Sequence, residues 1–178
     1  ATMTSPRRCL LIAPLSFYTF HHTVCEGLEA RGYEVELLNE EFPANAFGKV
    51  LGKLALPILR RLTLRGLRSR LKARPRYDLV VIIKGRGLGP TALKYLRSKA
   101  DRIVGYNFDS FCLNPSPLDW HAQTDRYATF DVDDAVAYGL PLVPLFSAAL
   151  EGMAQAERCT DLSVVMRVHS ERLTYLDQ

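Results

Sequence analysis

From Arg76 onward, apolar runs alternate with polar or glycine-rich breaks: Tyr77-Asp-Leu-Val-Val-Ile-Ile-Lys-Gly-Arg-Gly-Leu, then Arg102-Ile-Val-Gly-Tyr-Asn-Phe-Asp-Ser, then Arg126-Tyr-Ala-Thr-Phe-Asp. Runs this continuous fit strands buried on both faces, the condition of a parallel sheet covered by helices. A sheet of that kind places its ligand crevice outside the carboxyl ends of its strands, where the strand order reverses. The polar residues that close each run are therefore the first candidates for function.

The amino-terminal part supplies a β-α-β opening. Residues 9–13 read as a strand, residues 20–31 as a helix closed by Gly32, and residues 33–38 as a second strand. Further strands near 79–83, 103–107, 127–130 and 142–146 bring the number to six, with mostly helical connections. The expectation is an α/β, doubly wound, Rossmann-like, mostly parallel six-stranded sheet with helices on both faces, in the order 3-2-1-4-5-6. Residues 1–148 form this domain. Residues 149–178 read as a linker plus the first strand and helix of a truncated second domain, because Asp161-Leu-Ser-Val-Val-Met-Arg-Val-His-Ser-Glu-Arg-Leu looks like a fresh strand entering a fresh helix.

A chain of 178 residues, 48% hydrophobic and 24% charged, has the composition of one ordinary globular core. Its cysteines, Cys9, Cys25, Cys112 and Cys159, lack the paired spacing of metal or redox sites and read as reduced thiols of a cytoplasmic protein, with no structural zinc. The apolar run after Arg7 and Arg8 is interrupted by Pro14 and followed by His21, His22 and Glu26, so it reads as a strand and not as a signal peptide. No stretch is long enough to span a membrane. The net charge of +4 conceals an asymmetry, since residues 42–77 contain no acidic residue and ten of the 23 Lys and Arg fall between Lys49 and Arg76.

A 100° helical step through that basic segment places Phe47, Val50, Leu51, Leu54, Ile58 and Leu62 on one face, opposite Lys49, Lys53 and Arg60. Beyond Thr63, Leu64, Leu67 and Leu71 fall on the formerly basic side. One straight helix cannot bury both stripes. The pattern predicts a bend near residues 62–66, with Pro57 as a second kink site, and the simplest use of the first stripe is in the core.

Candidate sites follow the strand ends. Pro14-Leu-Ser-Phe-Tyr lacks the glycines of a dinucleotide loop, which argues against NAD or FAD; Ser16, Tyr18 and His21 are candidates to hydrogen-bond a hydroxylated ligand, against an ordinary loop and helix-cap role. Gly85, Gly87 and Gly89 permit positive φ, and Lys84 and Arg86 are candidates for an anion near the following helix, against a tight turn with solvated cations. Asp109 and Ser110 close the next strand, where a carboxylate serves as general base, holds sugar hydroxyls, or merely caps a turn. Asp131-Val-Asp-Asp resembles a metal-nucleotide triplet, but Asp131 as an N-cap with Asp133 and Asp134 in the first helical turn is the stronger reading, and no metal is expected. Trp120 reads as a packing anchor.

Taken in order, Tyr77-Asp-Leu-Val-Val-Ile-Ile-Lys-Gly, Tyr106-Asn-Phe-Asp-Ser-Phe, Tyr127-Ala-Thr-Phe-Asp-Val-Asp-Asp-Ala, Tyr138-Gly-Leu-Pro-Leu-Val-Pro-Leu-Phe and Val168-His-Ser-Glu-Arg-Leu resemble bacterial two-domain glycosyltransferases of the GT-B type, nearest the spore-maturation-like proteins and their relatives in lipopolysaccharide, capsule and exopolysaccharide synthesis. The resemblance begins at about residue 76. It implies an amino-terminal, acceptor-side domain, with a nucleotide-sugar bound mainly by a second domain and no cofactor. Under it Asp109 is the catalytic or acceptor-contacting carboxylate, Ser16, Tyr18, His21 and Ser110 meet acceptor hydroxyls, and Lys84 and Arg86 meet anionic groups. The isolated chain would be a poor enzyme. Partners would be a saccharide or lipid-linked acceptor and an anionic membrane surface reached through Lys49 to Arg76, on the inner face of the cell membrane, with a homo-oligomer left open. The alternative is a non-catalytic Rossmann-like binding or partner domain. Nucleic acid is disfavoured because the basic segment lacks interleaved aromatics.

Overall fold

In a computed structural model, which describes residues 6–15 and 20–145, the chain is an α/β protein built on a five-stranded, wholly parallel sheet. The strands are β1 (Arg7–Ala13), β2 (Tyr33–Asn39), β3 (Tyr77–Ile83), β4 (Ala100–Asn107) and β5 (Arg126–Thr129). The helices are α1 (Phe20–Glu29), α2 (Ala46–Leu54), α3 (Leu56–Leu71), α4 (Pro90–Arg97) and α5 (Val132–Tyr138), with short 3-10 turns at Ser116–Asp119 and His121–Gln123. The expected second-domain elements in residues 149–178 lie outside the described residues.

The sheet order is β2-β1-β3-β4-β5, not the expected 3-2-1-4-5-6. The reversal falls between β1 and β3, with Leu10 opposite Val80 and Ile12 opposite Ile82. Side-chain composition accounts for the difference. β1 and β3 are the continuous apolar runs, and Leu10, Leu11, Ile12, Val80 and Ile82 are fully buried. β2 alternates Glu34 and Glu36 with Tyr33, Val35 and Leu37, and only Leu38 is buried in it. An internal β2 would bury two carboxylates at several kcal/mol each; the edge position leaves Glu34 exposed and lets Glu36 accept the Tyr77 hydroxyl and pair with Arg8 and Arg74. Of the sixth strand expected at 142–146, Leu142 makes one isolated parallel bridge to Thr129, and residue 146 lies outside the described residues.

Alternation along the strands divides the core. Leu10, Ile12, Val80, Ile82 and Ile103 pack with Leu67 and Leu71 of α3 and with Ala92, Leu93 and Leu96 of α4. Leu11, Ala13 and Ile83 pack with Phe20, Val24 and Cys25 of α1. Trp120, 1% exposed, is the packing anchor its sequence context suggested, and Asp131 caps α5 by accepting the Asp134 N–H at 3.0 Å.

The basic segment breaks at a different place from the one expected. α3 runs without interruption through residues 62–66, and the break is Ala55, at φ −148° and ψ 54°. Pro57 occupies the first turn of α3, where its missing N–H costs nothing. α3 buries Leu59, Thr63, Leu67 and Leu71, one i+4 row. α2 buries only Gly48 and Leu51, so most of the first apolar stripe is not in the core.

Two glycines separate backbone need from mere space. Gly85 has φ +64°, and a Cβ there would lie 2.6 Å from Trp120 Cζ2; Gly27, inside α1, meets nothing closer than 3.6 Å. Gly85→Ala is expected to lower stability by at least about 1 kcal/mol from the left-handed backbone alone, and Gly27→Ala to raise it by about 0.5–1 kcal/mol. Urea unfolding midpoints of the two variants check this.

Candidate functional site

The carboxyl ends of β2, β3 and β4 gather charged residues around the point where the strand order reverses. β2 runs out of its apolar pattern at Asn39, and the chain turns through Glu40 and Glu41, both under 10% exposed. β3 ends at Ile83 and enters Lys84 and Gly85, both with positive φ. β4 ends at Asn107 and continues into Phe108, Asp109 and Ser110.

Lys84 and Asp109, placed at neighbouring strand ends, form an ion pair at 2.8 Å, with side chains 20% and 26% exposed. The Lys84 ammonium also lies 5.4 Å from the centre of the Phe108 ring. Lys84 is the one non-glycine residue with positive φ, +67°, among the described residues. A left-handed lysine costs about 1–2 kcal/mol; here the Lys84 N–H donates to Tyr106 O at 2.9 Å and Nζ holds Asp109, so the surroundings fix the conformation.

Arg86 is an internal junction. Its backbone N–H donates to Glu40 Oε2 at 2.9 Å, its Nε to Glu41 Oε1 at 2.5 Å, and its carbonyl accepts from Ser116 Oγ at 2.8 Å. Ser116 Oγ in turn accepts from the Arg60 guanidinium, which also pairs with Asp119 at 2.6 Å. Both cations proposed from sequence as anion contacts therefore meet carboxylates of this chain. Of the three glycines that permit positive φ, only Gly85 uses it; close packing explains Gly87 and Gly89, since a Cβ would lie 2.6 Å from Glu40 O and 2.9 Å from Arg60 Cδ respectively.

His21 is 7% exposed in the first turn of α1, and its Nδ1 has no hydrogen-bond partner. Phe20 beside it meets Phe108 edge-to-face at 5.0 Å, which brings the start of α1 to the end of β4. Ser110 shapes the following turn: its carbonyl accepts from Leu113 and Asn114, and its hydroxyl accepts the Cys112 N–H at 3.3 Å. Ser16 and Tyr18 lie outside the described residues. The structure thus brings Lys84 to Asp109 and assigns Arg86 a local structural partner.

Sequence reasoning passed over Glu40 and Asn107. Burial raises the Glu40 carboxyl from its ordinary 4.5 to about 7, against the opposing pull of Lys84 and the Arg86 N–H. Asn107 is fully buried, and neither of its amide atoms has a hydrogen-bond partner; Trp120 Nε1 and Tyr127 OH are likewise unpartnered. Asn107 stands beside Thr129 in the sheet register and Gly105 beside Tyr127, so the polar atoms belong to adjacent positions. The only sequence signal was an Asn closing the run Ile103-Val-Gly-Tyr. A concavity of about 550 Å³ is lined by Pro90, Thr91, Leu93, Lys94, Arg97 and Gln123, none of them a residue of this cluster, and its Arg97 is already paired with Asp125.

Among the described residues no group of His, Cys, Asp and Glu has metal-binding geometry, and no helix is long and apolar enough to cross a membrane. Compared with protein-family models, with curated proteins and with solved structures, the chain matches none at a significant level.

Between pH 4.5 and about 7 the folded chain keeps a Glu40 proton that the unfolded chain has lost. This contribution to stability is complete below pH 4.5 and declines as pH rises through about 7. Glu40→Gln retains an acceptor for the Arg86 N–H and removes the titration. Denaturant midpoints across this range are expected to fall with pH in the parent, to fall less in Glu40→Gln, and to be higher in the variant above neutrality.

Proposed function

We propose that this chain is the amino-terminal, acceptor-side domain of a glycosyltransferase that elongates a bacterial surface polysaccharide or its lipid-linked precursor at the cytoplasmic face of the membrane. The observation that carries the reading is the Lys84–Asp109 pair, half-sheltered at the carboxyl ends of two neighbouring parallel strands, one strand from the order reversal. Open parallel sheets bind ligands there. The sixth strand and the doubly wound arrangement belong to this reading, as do residues 149–178 as the opening of a nucleotide-sugar domain.

In this reading an acceptor hydroxyl attacks the anomeric carbon of a nucleotide-sugar, its proton passes to the Asp109 carboxylate, and the nucleoside diphosphate leaves with the bonding electrons. Lys84 positions Asp109 by holding Oδ2. His21, Ser110, Ser16 and Tyr18 supply hydrogen bonds to the remaining acceptor hydroxyls. Leaving-group stabilisation is assigned to a second domain, so residues 1–178 alone should not turn over a nucleotide-sugar.

One observation favours a second reading. Lys84, Arg86, Asp109 and Glu41 already neutralise one another, which suits a non-catalytic binding or partner domain equally well. Saturation-transfer NMR separates the two. The transferase reading expects signals from oligosaccharide acceptor analogues, lost in Asp109→Asn, and weak signals from nucleotide-sugars. Absence of any saccharide signal would favour the partner domain, and turnover by the isolated chain would place the active site elsewhere.

A further inference from the structure

α2 is mounted the wrong way round for a core helix. Its inward side is glycine: a Cβ on Gly48 would overlap the Pro43 carbonyl oxygen, and one on Gly52 would lie 3.1 Å from the Arg86 guanidinium carbon. Of its apolar residues only Leu51 is buried. Phe47, Val50 and Leu54, at i, i+3 and i+7, are 59%, 50% and 81% exposed, and Ile58 in the first turn of α3 is 49% exposed. A row of large apolar side chains left in water is costly, and on a well-packed domain it marks a contact surface.

The charges beside this row say what it contacts. Residues 42–77 contain no carboxylate side chain. Their carboxyl-terminal cations are occupied: Arg70 lies over Phe42, Arg74 pairs with Glu36, and Arg76 with Asp101. Three beside the apolar row are not. Lys53 precedes Leu54, and Arg61 and Arg65 share the exposed face of α3 with Ile58 at i, i+3 and i+7. Among the described residues the side chains of Lys53, Arg61 and Arg65 make no ion pair or hydrogen bond.

We propose that the outward face of α2 and the start of α3 is a membrane-docking surface for an anionic phospholipid bilayer, with Phe47, Val50, Leu54 and Ile58 inserted at the headgroup boundary and Lys53, Arg61 and Arg65 on lipid phosphates. An amphipathic helix with an apolar face and flanking cations binds in the interface plane by these two terms together. The apolar term survives salt; the cationic term is screened by it. The surface stands independently of the sugar-transfer reading, because it uses none of the residues placed in the crevice.

Flotation of the full chain with phosphatidylcholine vesicles, with and without phosphatidylglycerol, tests the surface. The expected result is recovery with anionic vesicles, reduced by high salt and low with neutral ones. Phe47→Asn with Leu54→Asn should lower recovery about tenfold at every salt concentration. Arg61→Gln with Arg65→Gln should narrow the difference between the two lipids, and adding Lys53→Gln should abolish it. All these side chains are exposed, so unfolding midpoints should not move, and Val50→Ser provides a milder variant with the same readout. No recovery with anionic vesicles, or recovery unchanged in the apolar variant, overturns the proposal. So does a parent dimer that the apolar variant dissolves without any vesicle binding, which would make the face an interface between copies of this chain.

Discussion

The accommodation of one buried carboxyl organises the carboxyl edge of this sheet. Glu40 leaves β2 with nowhere to go but inward, and the backbone N–H of Arg86 meets it. That contact fixes the loop after β3 against the end of β2, and the rest of Arg86 is then committed: guanidinium to Glu41 and against α2, carbonyl to Ser116. Thr63 of α3 joins the same junction, accepting the Phe42 N–H at 3.2 Å and lying 2.9 Å from where a Gly87 Cβ would stand. Elements distant in sequence are thus tied together by hydrogen bonds, of which Arg86–Glu41 joins two charged groups and belongs to the stronger class.

The junction explains why α2 is inverted. The guanidinium packs closely on Gly52, and Gly48 lies against the Pro43 carbonyl where a Cβ would overlap, so the side of α2 carrying the two glycines faces the domain and the apolar side faces out. The helix gives up burial of Phe47, Val50 and Leu54, on the order of 1.5–3 kcal/mol for each side chain fully buried. The proposed docking surface would recover part of that energy. The Lys84–Asp109 pair takes no part in these hydrogen bonds, and its side chains are 20% and 26% exposed.

Much of the fold was legible because it rests on local pattern. The continuous apolar runs marked the parallel strands, Gly32 and Gly139 close helices at φ +81° and +63°, and Asp131 caps a helix as its spacing foretold. Strand order was less visible, although Glu34 and Glu36 carried the signal for an edge strand. The break at Ala55 was hidden because hydrophobicity alone assigns an apolar stripe to the core, whereas the buried side of α2 was chosen by close approach at its glycines. In the site, the polar ends of β3 and β4 pointed to Lys84 and Asp109. Glu40 reads in sequence as one acid of a solvated turn, and only tertiary burial makes it otherwise.

If the Arg86 junction holds α2 by its glycine side, removing the side chain should release that helix while the sheet stays intact. Hydrogen exchange in Arg86→Ala against the parent measures this directly. The account predicts that amides of α2 and of residues 84–89 lose protection together, while those pairing β1 with β3 keep theirs. Unchanged protection across α2, or loss spread evenly over the sheet, would contradict it.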